Sequence, residues 1–303
     1  MPRKKNDWSP YSMPAIRNLL WESQMSEWDR FMDLLEAGKR PRGLSDVAIG
    51  ARLSLYQGAE SIRAAEMYWV RPAMAEAAMD ASTDIPFFNP AVERPAPHGV
   101  MAFERPLPPV EPGSDAQPAD HYAPGWAPTA QPVDLITWWS FEGSQVFLMW
   151  RRDSKTSHGP FEPSTALVVP ETKIVEFDQF AQPGHRALLA MIGSAWVMMQ
   201  TPTVAERRAV TPSGRPTERG RQDKLPTDVT LVDLRSLRHA STQTSETETG
   251  RTYTHRFVVR GHWKQVAHGP GRAERRPAWI ASYVKGPPDA PFRHTEKVMV
   301  WRR

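Results

Sequence analysis

Three histidines lie near one another toward the carboxyl end of this chain: His255, His262 and His268, each with an arginine close by. Paired imidazoles can act as acid and base in RNA strand cleavage, because a pKa of about 6.5 lets one ring donate a proton while another accepts it. No carboxylate adjoins them to orient a ring, so ordinary hydrogen-bonding roles compete with catalysis or metal binding. A second candidate is Glu171-Thr172-Lys173. Its Glu-x-Lys order is that of metal-dependent nucleases, in which the carboxylate holds the metal and the lysine steadies the attacking water. The same tripeptide equally fits a surface turn with one charge of each sign.

The most informative residues form a longer constellation. Val259-Arg260-Gly261-His262-Trp263-Lys264-Gln265 is followed by Gly269-Pro270-Gly271-Arg272, by Arg275-Arg276-Pro277-Ala278-Trp279-Ile280 and by Tyr283-Val284-Lys285-Gly286-Pro287. Guanidinium groups and flat rings alternate here along extended segments joined by a Gly-Pro-Gly turn. Arginine forks match phosphate geometry and aromatic rings stack bases, so single-stranded RNA is the ligand this pattern suits. Arg260, His262, Lys264, Arg272, Arg275, Arg276 and Lys285 are the candidate phosphate contacts, Trp263 or Tyr283 the stacking ring, and Gln265 a polar neighbour. In the competing reading Trp263, Trp279 and Trp301 point into a core and the cations merely solvate the other side. Period-two alternation serves both readings. Trp279 and Trp301 are expected in the core, and His262 and Trp263 on either side.

Charge supports a partner at this end. The whole chain carries +4, but Arg251 to Arg303 holds 12 Lys and Arg against Glu274, Asp289 and Glu296, a balance of +9 that leaves about −5 for the rest. Segregated basic charge implies an anionic partner, either RNA or an acidic protein. Other chemistries lose support. With no cysteine, disulfides, thiolate metal sites and cysteine nucleophiles are excluded, and a reducing cytoplasm is the expected compartment. No Gly-Lys-Ser/Thr phosphate loop, Gly-x-Ser-x-Gly elbow, His-Glu-x-x-His helix or Gly-x-Gly-x-x-Gly turn is present, so neither a metal nor a small-molecule cofactor is expected. No apolar run is long enough to span a bilayer, so no membrane role is expected.

The elements that must position these residues follow from pattern. Trp21, Met25, Trp28, Met32 and Leu35 recur at helical spacing over 14–36, with Gly38 as the stop. A second helical stretch is expected within 45–80, where Ile62, Ala65 and Trp69 share a face and Pro72 forces a break or a fresh start. Ser45 to Ala51 fits the middle of a DNA-reading helix-turn-helix, a spacing common to many helical pairs. Phe87-Phe88-Asn89-Pro90 reads as a turn before a short strand at 97–103. Eight prolines between Arg105 and Val133 predict an extended connection without regular hydrogen bonding. Leu135–Phe141, a Glu142-Gly143-Ser144 turn and Gln145–Trp150 predict a hairpin. Strands are expected to continue at 166–169 and 173–177, and a helix at 185–200 to pack across the sheet. An exposed loop at Glu206–Lys224 should follow, then strands at 228–235, 253–260, 278–284 and 296–301, with the polar run Ser241–Gly250 among their connections. The expected class is α+β: a helical unit at 1–84, a short strand and proline-rich connection at 85–132, and a mostly antiparallel sheet with one packed helix at 133–303.

The stretch Arg260 to Gln265, the Gly269-Pro270-Gly271-Arg272 turn, and Trp279-Ile280 with Tyr283 to Pro287 resemble the C-terminal signature of phage and mobile-element proteins related to an anti-CRISPR family directed at type V-A systems. Pro95-Ala96-Pro97-His98-Gly99-Val100-Met101-Ala102-Phe103-Glu104 is similar to that family's earlier strand, and the helix at 185–200 sits where such proteins carry one. The resemblance implies lowered production of the CRISPR effector nuclease, through its nascent N-terminal peptide and message in a translating ribosome complex. Lys264-Gln265 stands where those members are more aromatic, and the N-terminal helices have no counterpart. The sequence therefore favours a cytoplasmic binding protein for RNA or a translating complex over its rivals, a histidine-dependent ribonuclease and a docking module for an acidic protein.

Overall fold

The computed structural model describes residues 8–37, 56–110, 131–152, 161–177, 183–212, 225–235, 254–287 and 290–291. Helix α1 (Met13–Glu36) opens it, with Ser12 Oγ donating to the Ser9 carbonyl at 2.7 Å just before the first turn. The helix lies where its periodicity places it, but its buried apolar residues are Met13, Ile16, Leu20 and Phe31. The expected tryptophan stripe is only half-buried, because it packs on a short neighbour, α2 (56–63), where Trp28 stacks on Tyr56 at 4.6 Å.

Residues expected to extend that second helix instead form strand β1 (Glu66–Val70). Met67, Tyr68, Trp69 and Val70 are all buried, which happens when a strand is covered on both faces and loses its apolar-polar alternation. Pro72 then starts α3 (Pro72–Ser82). A one-turn helix, α4 (Pro90–Glu93), follows with Asn89 as its cap, its side chain accepting from Ala91 N–H at 3.1 Å. The chain continues through β2 (Gly99–Val110), β3 (Gln131–Phe141), β4 (Ser144–Arg152) and β5 (Phe161–Pro170), then α5 (Pro183–Met199), β6 (Ala205–Val210) and β7 (Val229–Leu234).

These seven strands form one sheet in the order β5-β4-β3-β2-β1-β7-β6. β2, β1 and β7 run parallel, and every other neighbour is antiparallel. This is the α+β class with a mostly antiparallel sheet. It draws β1 from before residue 84, while its central strand β2 takes up the short strand expected at 97–103 and runs on into the proline-rich connection. Alternate residues face opposite layers: Tyr68, Met101, Phe103, Trp138 and Phe147 meet the side of α3 and α5, while Met67, Trp69, Val100, Trp139 and Trp150 meet the side of α1 and α2. Burying an aromatic side chain stabilises by about 2–3 kcal/mol, and Trp69, Trp138, Trp139, Trp150 and Trp196 are all fully buried. Trp138 Nε1 donates to the Ala96 carbonyl at 2.9 Å and Trp150 Nε1 to Thr137 Oγ1 at 3.0 Å.

The β3–β4 hairpin turns at Glu142 (φ 46°) and Gly143 (φ 75°), the left-handed pair that a two-residue hairpin requires. Three further expectations are corrected. The prolines after Arg105 do not exclude ladder pairing, since Leu107 pairs with Val133 and Val110 with Gln131 across register shifts that leave Pro106, Pro108 and Pro109 unpaired. Residues 206–210 form edge strand β6 rather than loop, with its exposed charges tolerated because only β7 flanks it. At 173–177 there is only a single bridge, Val175 to Phe88. Gly38, the Ser45–Ala51 segment, Ser241–Gly250, the 296–301 strand and Trp301 lie outside the described residues. Among the described residues, no helix is long and apolar enough to cross a membrane.

Candidate nucleic-acid interface

The constellation at 257–285 folds as a ribbon apart from the main sheet. β9 (His262–His268) pairs antiparallel with β10 (Glu274–Ile280), placing Trp263 opposite Trp279 and His268 opposite Glu274. The same two chain segments pair again as β8 (Phe257–Val259) and β11 (Tyr283–Lys285), with Tyr283 opposite Val259. Between the pairs the ladder breaks at Arg260-Gly261 and Ala281-Ser282, where Gly261 N–H donates to Ser282 Oγ at 2.9 Å. A Cβ at Gly261 would lie 2.5 Å from the Trp279 ring, so only glycine fits this step. At the tip, Gly269, Gly271 and Arg272 all take positive φ, which turns the chain within four residues.

The ribbon is anchored on the α3–α5 side of the body. Trp263 Nε1 donates to the Ala81 carbonyl at 2.7 Å, and Arg260 forms an exposed ion pair with Asp80 at 2.7 Å. Trp263 and Trp279 meet edge to face at 5.1 Å, and both, with Ala281, pack against the main core. The expectation for Trp279 thus holds, and Trp263 takes the same side. Strand alternation then sorts the remaining positions. Gln265, Ala267, Arg275 and Pro277 share the indole side, whereas His262, Lys264, Val266, His268, Glu274, Arg276, Ala278 and Ile280 share the other.

His262, Lys264, Gln265, Arg272, Arg275 and Arg276 are exposed, while Tyr283 and Lys285 are half-buried. Lys264, Arg272 and Arg276 form no ion pair among the described residues. Arg275 donates to the carbonyls of Arg272 at 3.2 Å and Glu274 at 3.3 Å, which holds its guanidinium beside the tip. The register therefore sets His262, Lys264 and Arg276 along one side, with His262 opposite Ile280 and Arg276 opposite Val266, places Arg272 at the tip and Arg275 on the opposite side, and directs Trp263 to the body.

Two of the candidate catalytic groups, His262 and His268, are not brought together. His262 and His268 sit six residues apart on one side of an extended strand, about 20 Å at the usual rise per residue, too far to share a substrate's proton transfers. His255 lies ahead of β8, its ring 5.8 Å from that of Phe257. Glu171 accepts from Ser140 Oγ at 2.8 Å and pairs with Arg94. The Ser140 hydroxyl first, and Arg94 after it, hold this carboxyl below the usual carboxylate range against an opposing desolvation. Glu171 thus ties the α4 segment to the β3–β4 hairpin. Among the described residues, no three His, Asp or Glu side chains are grouped to hold a metal ion.

One residue beside the ribbon carries no sequence signal. Glu93, at the end of α4, is 2% exposed, and its Oε1 has no hydrogen-bond partner among the described residues. Burial pushes its carboxyl up, and the charges of Arg276 and His268 on the ribbon pull it partly back. His268 Nδ1 is likewise buried, 3.2 Å from Glu274 Oε2 but not aligned to form a hydrogen bond.

No family model matches the chain, and no curated protein matches it. Among solved structures, the crystal structure of AcrVA2, an anti-CRISPR protein, superposes at a TM-score of 0.38 and 12% identity, covering 90% of this chain and 92% of that one. A likeness at that level carries no argument about function.

Proposed function

We propose that the protein is a non-enzymatic binder that engages single-stranded RNA, alone or within a translating complex, through the β9–β10 ribbon. The observation that supports this reading is the set of exposed cations on the ribbon, Lys264 and Arg276 on the side opposite the indoles, Arg272 at the tip and Arg275 beside it. Guanidinium forks offset phosphate charge, and the exposed His262 ring, on the same side of the ribbon as Lys264 and Arg276, offers a base a stacking face. The translating complex enters through the sequence likeness of 260–287 to the anti-CRISPR family. The register disfavours cleavage by the His262 and His268 pair, which stand about 20 Å apart along one strand.

Fluorescence anisotropy with a labelled oligo(U) tests the reading. Four phosphate contacts predict a slope of about −2.8 in log affinity against log salt, a loss of about 50-fold between roughly 50 and 200 mM. Replacing Lys264, Arg272 and Arg275 together with Gln should flatten that slope by about 2. Salt-indifferent binding, or none, overturns it, and a pull-down that survives nuclease treatment assigns the arm to an acidic protein instead.

A further inference from the structure

The open edge of β6 carries hydrogen-bonding groups that the described part of the chain does not use. In an antiparallel pair, successive residues point their N–H and C=O alternately toward and away from the neighbour. Arg235 N–H donates to the Val204 carbonyl at 2.8 Å, in register with the β6–β7 ladder, and Arg71 N–H donates to the Val232 carbonyl at 3.0 Å on the far side of β7. Glu206, Arg208 and Val210 therefore face β7, whereas Ala205, Arg207, Ala209 and Thr211 face outward. Ala205 is already served, its N–H donating to the Thr201 carbonyl at 3.0 Å and its carbonyl accepting from Arg235 Nε at 3.3 Å. The backbone groups of Arg207, Ala209 and Thr211 have no partner among the described residues, and all three residues are exposed. Thr211 stays in line with the ladder, opposite Asp228, to whose Oδ1 its Oγ1 donates at 2.8 Å. The other edge of the sheet, β5, is interrupted by Pro163 and Pro170, which lack a donor.

We propose that β6 is the pairing edge for a second copy of this chain, joining two sheets about a two-fold axis through Ala209. In such a pair residue i meets j and j meets i. Centring on Arg207 or on Arg208 sets that arginine against its own copy, and like charges directly opposite are destabilising. Centring on Val210 draws on Ala209 and Thr211 alone among the outward groups. Centring on Ala209 uses all of them, about six ladder bonds, with two small side chains at the axis. Arg207 then stands opposite the partner's Thr211, on the side that carries the partner's Asp228, and Arg208 stands opposite the partner's Val210. Edge charges ordinarily deter pairing; here their spacing selects one register. The edge is short, so the pair is weak and depends on concentration. Pairing about an axis normal to the sheet keeps like faces together, which sets both ribbons on the same side of the joined sheet. RNA has no part in this inference.

The test uses the full chain. Sedimentation velocity at rising concentration should show a monomer–dimer equilibrium. Ala209→Pro removes the two donors at the axis and leaves the β7 side of the strand intact, so it should weaken association at least about tenfold without lowering the thermal melt. Because the chain has no cysteine, single cysteines read the register. Residues in a hydrogen-bonded pair lie about 5.5 Å apart, within disulfide reach. Under mild oxidation Ala209→Cys should therefore cross-link faster than Arg207→Cys or Arg208→Cys, whose registers form fewer ladder bonds even with the arginine gone. A monomer at every concentration, a dimer indifferent to Ala209→Pro, or faster cross-linking at position 207 or 208 overturns the inference. Should Ala209→Pro lower the melt, the cysteine series decides alone.

Discussion

The seven-stranded sheet and the β9–β10 ribbon use the same residue type in opposite ways. In the sheet, Trp69, Trp138, Trp139 and Trp150 are sealed between helical layers among mostly apolar neighbours on both strand faces. In the ribbon, Trp263 and Trp279 are half-buried and serve as fasteners for one face only, which leaves the other free for charge. The contrast teaches that an indole in a basic strand need not be a binding ring. Here it holds the strand against the body so that its cations stay presented.

The sharpest way to break this comparison is at the centre of the sheet. Trp138→Ala removes a fully buried ring that touches Trp196 at 5.2 Å and Tyr68 at 5.8 Å, and should destabilise by about 3–5 kcal/mol in chemical denaturation. A loss under about 1 kcal/mol would mean the core repacks freely. Trp263→Phe keeps an aromatic ring but leaves the Ala81 carbonyl without its donor, and should cost about 1 kcal/mol. Amide exchange should quicken in β9 and β10 while the sheet stays protected; uniform loss of protection would make the ribbon part of one cooperative core. The smallest effect is expected at the exposed cations. Lys264→Gln or Arg272→Gln should change stability by no more than about 0.5 kcal/mol, and a larger loss would show these side chains to be structural rather than presented.

Much of the architecture was legible wherever one periodicity dominated. Helix α1 and helix α5 announce themselves by spacing, and the β3–β4 hairpin by its β-formers around Glu142-Gly143. β1 was not legible as a strand, because Met67 to Val70 is buried on both faces and a continuous apolar run reads equally well as buried helix. β6 hid for the opposite reason: Glu206, Arg207 and Arg208 look like loop until a neighbour offers them a ladder. In the ribbon, alternation identified two sides but not which one meets the body. That depends on Ala81 and Asp80, about 180 residues earlier in the chain. Glu93 was invisible because its burial arises only through tertiary packing.

One buried side chain has a consequence for how the molecule is made. Arg17 of α1, 2% exposed, donates to the Ala65 carbonyl at 3.3 Å and to that of Pro226 at 2.7 Å, the second lying 209 residues downstream. β1, next to the first of these, also awaits β7 to complete its parallel pairing. During synthesis the amino-terminal helix therefore emerges with a cation whose last acceptor has not yet been translated, and the β1–β7 pair closes late. Folding of this chain is completed by its carboxyl half, with the long loop-closure cost that such distant partners impose.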